Sequence, residues 1–175
     1  MSKKLLYMVN SLLAFLLLFI DQTTKYFAIH SLGNGKRIIL IKSVLELYYT
    51  ENTGAAFGLF EGKNIVIMFM VIAIVMILLF MYRRLCRAEK YQGICFVMTV
   101  LISGALGNLI DRMLYGFVVD YIYFVPIDFP RFNFADICIV SAVFMMSYLF
   151  LFVYTEEGVD CMDNNGIRRE HRTFR

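Results

Sequence analysis

Four stretches of this chain carry no charged residue: 5–20, 65–82, 93–110 and 137–154. Each approaches the roughly 20 apolar residues that cross a hydrocarbon core as a helix. Lipid offers no partner to backbone N–H and C=O groups, so a segment buried in it must bond to itself, and a helix does that. The chain as a whole is 60% hydrophobic and 18% charged, with a mean hydropathy of +0.68. Soluble domains run at about 45–50% apolar and about 25% charged. The sequence therefore describes a membrane protein, and its 175 residues suit one domain. A net charge of +3 is too small to imply a nucleic-acid partner.

The first apolar run follows Ser2-Lys3-Lys4 and ends in Asp21-Gln22-Thr23-Thr24-Lys25. A secretory signal would end in a small-x-small cleavage site, so this run reads as a retained helix over about 5–27. Residues 28–63 differ in kind. Gly33-Asn34-Gly35 is a turn signal. Arg37 to Thr50 is rich in β-branched and aromatic residues around Glu46, which predicts one or two short strands. An open sheet edge cannot face lipid, so this piece is expected as a β platform at the interface. Further spans are expected at about 64–82, 92–115 and 134–154. Residues 155–175 form a polar tail without apolar periodicity and are expected to be disordered.

Four spans put both termini on one side. Lys3, Lys4, Arg83, Arg84, Arg87, Lys90 and the arginines at 168, 169, 172 and 175 outnumber Lys36, Arg37, Lys42, Lys63 and Arg131 in the opposite loops. Basic residues mark the cytoplasmic side. The expected fold class is thus membrane all-α with a small β element. Its four-helix transmembrane bundle, residues 1–154, has both termini cytoplasmic and a small extracytoplasmic β cradle between helices 1 and 2.

Cys95 and Cys138 lie in apolar runs, where cysteine behaves as a small hydrophobe. Cys86 and Cys161 fall on the side read as cytosolic, where thiols stay reduced, so no disulfide is expected. His30 and His171 stand alone, without metal-ligand spacing, so no metal and no cofactor is expected.

Against this background the stretch from Gly104 to Asp136 is unusual, because acids, amides and arginines follow directly on an apolar run. Ionisable groups at membrane depth are costly and point to function. Asp120 sits at or just past the outer end of the third helix, and Asp136 in the first turn of the fourth. Both are expected at the same depth, with Asp21 and Asn52 arriving at that level from the other helices. Two close carboxyls share one proton, so one can take a proton from water while the other polarises a carbonyl. That is aspartic-protease chemistry. The bland alternative is a pair of interfacial acids at helix ends, where Asp136 would cap its helix. Gly104, Asn108 and Asp111 fall on one face of the third helix, suited to close packing and amide bonds. Arg112 is expected to pair with Asp111 or another buried acid.

Other functions fit less well. A proton carrier needs acids at several depths, and the second and fourth spans have none in their interiors. A structural assembly factor would not need paired carboxyls. An intramembrane serine protease needs a histidine at depth, and a presenilin-type protease needs a GxGD block; both are missing.

Four blocks in order resemble the bacterial lipoprotein signal peptidases, or signal peptidase II. They are Asp21-Gln22-Thr23-Thr24-Lys25; Asn52-Thr53-Gly54-Ala55-Ala56-Phe57-Gly58; residues 104–112 continuing through Gly116 to Val119-Asp120-Tyr121; and Phe132-Asn133-Phe134-Ala135-Asp136. Tyr121 departs from the expected Phe, and the tail after Thr155 matches no motif. The resemblance implies a membrane aspartic peptidase that cuts diacylglyceryl-modified prolipoproteins just before the lipidated cysteine. It implies Asp120 and Asp136 as the catalytic dyad. Asn52, Gly54, Asn108, Asp111, Arg112 and Asn133 would form the polar shell around substrate, and Asp21, Lys25 and Gly104 would be structural. It also implies a monomer in the bacterial cell membrane, an active site near the outer face, contact with membrane lipid, and inhibition by globomycin-type compounds.

Overall fold

The computed structural model describes residues 2–54 and 62–154. Ala55 to Gly58 of the second block and the tail after Tyr154 lie outside them. The chain runs α1 (Lys3–Leu32), β1 (Arg37–Ile41), β2 (Leu45–Asn52), α2 (Asn64–Leu85), α3 (Gln92–Tyr115), β3 (Val118–Phe124) and α4 (Phe134–Tyr148), closed by a π turn at Leu149–Val153. α1, α2 and α3, and α4 together with its π turn (Phe134–Val153), are long and apolar enough to cross a membrane. Their outward residues are large and apolar, among them Phe15 and Phe19 on α1, Phe69 and Phe80 on α2 and Phe144 on α4. Such surfaces suit lipid, in which an exposed Phe loses nothing. The result is a multi-pass helical membrane protein with a small three-stranded sheet.

α3 is the hub. Of the residues in its most apolar window 61% are buried, against 17% for α1 and 11% each for α2 and α4. Small residues on α3 make this possible. A Cβ on Gly104 would stand 2.6 Å from the Ala135 carbonyl oxygen of α4, and one on Gly107 would collide with the Asp21 carboxylate of α1. Close backbone approach of this kind is how helices associate in lipid, where the hydrophobic effect does not drive them together.

α1 continues to Leu32, one turn beyond the end at about 27 expected from the sequence. That turn has a use. Ala28 and Leu32 pack under the sheet against Val119 and Tyr121, with Leu47 and Tyr49 around them. The sheet is antiparallel in the order β1-β2-β3. The third strand was not anticipated, because residues 118–124 read as a connection. Its partner β2 is distant in sequence, and the pairing sets Thr50 opposite Asp120 and Asn52 opposite Val118.

One expectation about cysteine is overturned. Cys86 and Cys95 form a disulfide with Cα atoms 5.9 Å apart. The short turn between α2 and α3 brings the two helix ends together, and both cysteines are buried with Leu6. Redox compartment and spacing in the sequence gave no sign of this closeness. Cys138 is free and buried.

Candidate active site

Three local features bring Asp120 and Asp136 to one place. α3 ends at Gly116, whose φ of 82° is left-handed and therefore suits glycine. The Gly116 N–H bonds the Arg112 carbonyl, and the chain turns into β3. The Asp111 carboxylate then accepts the Val119 N–H at 3.1 Å, tying the new strand to the helix it has left. Finally, Phe132 is laced to β3: its N–H donates to the Ile122 carbonyl, and its carbonyl accepts from Tyr121 and Ile122. This lacing sets Asn133, the cap of α4, beside Asp120.

Asn133 is the joint of the site. Its side-chain oxygen accepts the Asp136 N–H at 3.0 Å, and its own N–H donates to Asp136 Oδ2 at 3.1 Å, forming a capping box. Its Nδ2 donates to Asp120 Oδ1 at 2.7 Å and to Asn108 Oδ1 at 3.1 Å. Asn108 Nδ2 donates to Asp136 Oδ1 at 2.7 Å, and Asn52 Nδ2 to Asp120 Oδ2 at 2.9 Å. Each carboxyl thus receives two N–H bonds, and a single asparagine touches both. Asp136 caps its helix, as the bland reading held, while also facing the shared site.

Asp120 is buried, 2% exposed. Burial, and next the charge of Asp136, push its pKa up from the usual carboxylate value to about 7, against the opposing pull of Asn52 and Asn133. At neutral pH the carboxyl is therefore poised between its two states.

Behind the pair lies a buried ionic cluster. The Lys25 ammonium stands 2.9 Å from both Asp21 Oδ2 and Asp111 Oδ2, and donates to Asn108 Oδ1 at 2.9 Å. Asp21 Oδ1 accepts the Ala135 N–H at the start of α4 at 3.0 Å. Gln22, a member of the first block with no role implied for it, donates to Asp21, to Asp111 and to the Gly107 carbonyl. Lys25 is thus one amide away from Asp136. Arg112 departs from expectation: Lys25 occupies Asp111, and the guanidinium instead donates to the carbonyls of Asn108 and Gly54 at 3.3 and 2.9 Å. Gly54 N–H in turn bonds Asn52 Oδ1 at 3.0 Å. Gly104 serves the α3–α4 approach described above, away from the polar atoms.

The two carboxyls open into a cavity of about 830 Å³. Its polar end holds Asn52, Asn108, Arg112, Asp120 and Asp136. Its walls are apolar: Ile67, Val71, Ile74 and Leu78 from α2, Leu101 and Ala105 from α3, Ile137 and Val140 from α4. Among the described residues no three His, Cys, Asp or Glu side chains gather in a metal-holding group.

Fold and site together define a multi-pass membrane enzyme with its polar machinery at one end of the bundle. The family model described as "Signal peptidase (SPase) II" matches residues 13–152. The "Lipoprotein signal peptidase" of Clostridium tetani is 37% identical over 144 residues, 81% of this chain and 89% of that protein. That of Clostridioides difficile is 37% identical over 146 residues, 83% of this chain and 97% of that protein. A bacterial membrane enzyme solved in meso at 2.3 Å superposes with a TM-score of 0.75 at 30% identity, covering 85% of this chain and 90% of that one. The chain belongs to the lipoprotein signal peptidase family, the signal peptidase II proteases that process prolipoproteins.

Proposed function

We propose that this chain is an aspartic endopeptidase of the bacterial cell membrane. It removes the signal peptide from diacylglyceryl-modified prolipoproteins, cutting just before the lipidated cysteine. The observation that carries this reading is the amide lattice of Asn52, Asn108 and Asn133. It holds Asp120 and Asp136 at the head of an apolar furrow.

The ionised member of the pair takes a proton from water, and the water oxygen attacks the scissile carbonyl carbon. The protonated member gives its proton to the carbonyl oxygen as charge develops there. On collapse of the tetrahedral adduct, the C–N bond breaks, the leaving nitrogen takes the proton drawn from water, and the adduct hydroxyl returns its proton to the pair as the new carbonyl forms. The two carboxyls titrate as a unit, so neither is fixed as the base. Arg112, through the Gly54 carbonyl, holds the segment after Asn52 against the site. Asp21, Lys25 and Asp111 keep α1, α3 and α4 in register behind it.

The substrate is a helix with two acyl chains attached, so it enters sideways from lipid. The furrow row of Ile67, Val71, Ile74 and Leu78 has helical spacing and suits an apolar signal helix. A globomycin-type inhibitor would compete for the same space. The basic loops put both termini in the cytoplasm and the sheet and carboxyl pair at the outer face, where water meets lipid. The chemistry is complete in one protomer and uses no cofactor. Gathering of the acids at one end of the bundle favours this over proton transport.

The test is cleavage of a lipidated prolipoprotein by the purified chain. Asp120→Asn and Asp136→Asn should each lower the rate by at least about a thousandfold, while the protein stays folded by thermal unfolding. Asn retains an amide oxygen that can accept the capping bond. Wild-type rates in either variant would refute the paired-carboxyl mechanism.

A further inference from the structure

Arg131 is absent from the polar lattice, yet it lines the same cavity as Asp120 and Asp136. It stands two residues before Asn133, on the strap laced to β3. Its guanidinium carbon lies 4.8 Å from the ring centre of Tyr48 and 5.0 Å from that of Tyr123. Two aromatic faces therefore attract the cation and hold the side chain in place. Ring faces do not satisfy in-plane N–H groups. Arg131 Nε is buried with no hydrogen-bond partner, and Arg131 makes no ion pair among the described residues. The neighbouring acids are engaged elsewhere. Glu46 lies 3.8 Å from Arg37, and Asp128 accepts the Tyr123 hydroxyl at 2.6 Å.

We propose that Arg131 is a specificity residue whose oriented, under-bonded guanidinium takes a carboxylate side chain on the residue directly after the lipidated cysteine. This rests on the peptidase reading above. The signal helix fills the apolar furrow and the acyl chains stay in lipid. The peptide on the far side of the scissile bond then leaves past the sheet and strap, where Arg131 waits. Nε is closed to an incoming group, so the terminal Nη groups, beside the two rings, are the donors that meet the carboxylate.

The experiment uses the full chain and three lipidated prolipoprotein peptides that differ only after the cysteine, with Asp, Asn or Lys there. For the wild type, kcat/KM for the Asp peptide should exceed that for the Lys peptide by about tenfold, mostly through KM. In Arg131→Gln the ratio should approach one, and in Arg131→Glu it should invert. If Arg131→Gln does not fold, Arg131→Lys takes its place, and a smaller preference of the same sign is expected. Equal rates for the three peptides with the wild type would overturn the assignment without using any variant. A preference that survives undiminished in the variants would overturn it too. Failure of the wild type to cut any of the three would instead overturn the peptidase reading, and this assignment with it.

Discussion

α2 and α3 are both uncharged over most of their length and both could cross a membrane, yet they do opposite work. α2 buries only Ile67 and Val75, spends its surface on lipid and lends one row of side chains to the furrow. α3 buries residues from Ile94 to Arg112, bonds to α1 and α4, and carries the amide that supports Asp136. The difference lies in a few residues. α3 has Gly104 and Gly107 where neighbours press close, and Asn108, Asp111 and Arg112 where they bond. Hydropathy finds both helices but does not tell a hub from a wall. Small and polar residues at helical spacing do.

This contrast can be broken at its strongest point through Lys25. The ammonium is buried between two carboxylates. Lys25→Met would leave those charges buried and unpaired, which costs about 3–5 kcal/mol. Thermal unfolding in detergent should show a large loss of stability. Next in size is Gly104→Val, which drives a side chain into Ala135 and Ile139. Overpacking of this kind costs about 1–3 kcal/mol, and the α3–α4 contact that positions Asn108 should loosen with it. Phe80→Ala on the outer face of α2 is the counterpart. Phe80 is 58% exposed, and the change should stay within about 0.5 kcal/mol. Equal effects at Gly104 and Phe80 would erase the distinction between hub and wall.

Much of the bundle was legible because the demands of lipid are simple. Uncharged runs of spanning length must be helices, and α3 lies at the residues its apolar run marked. The convergence of Asp21, Asn52, Asp120 and Asp136 followed from counting spans. What the sequence hid depends on contacts between distant segments. β3 is a strand because β2 lies beside it, and nothing in residues 118–124 names that partner. The partner of Arg112 depended on which cation reached Asp111 first in space, and Lys25 comes from α1. The Cys86–Cys95 bond depends on the turn between two helices. Gln22 had a readable signal in its place between Asp21 and Lys25, one residue from a buried acid, but an amide there gives no direction without the facing helix.

The proposed peptidase chemistry requires Asp120 and Asp136 to hold one proton between them at working pH. Asp120 is pushed up to about 7, above its ordinary 3.8. A carboxyl whose pKa is raised keeps its proton below that value and loses it above. The one-proton pair is therefore depleted as pH rises through about 7. The direct measurement is the pH profile of kcat/KM for a lipidated prolipoprotein, which reports the free enzyme's ionisations. A fall on the alkaline side beginning near pH 7 is the expected result. A rate that stays constant, or climbs, to pH 9 would contradict a shared proton at this site.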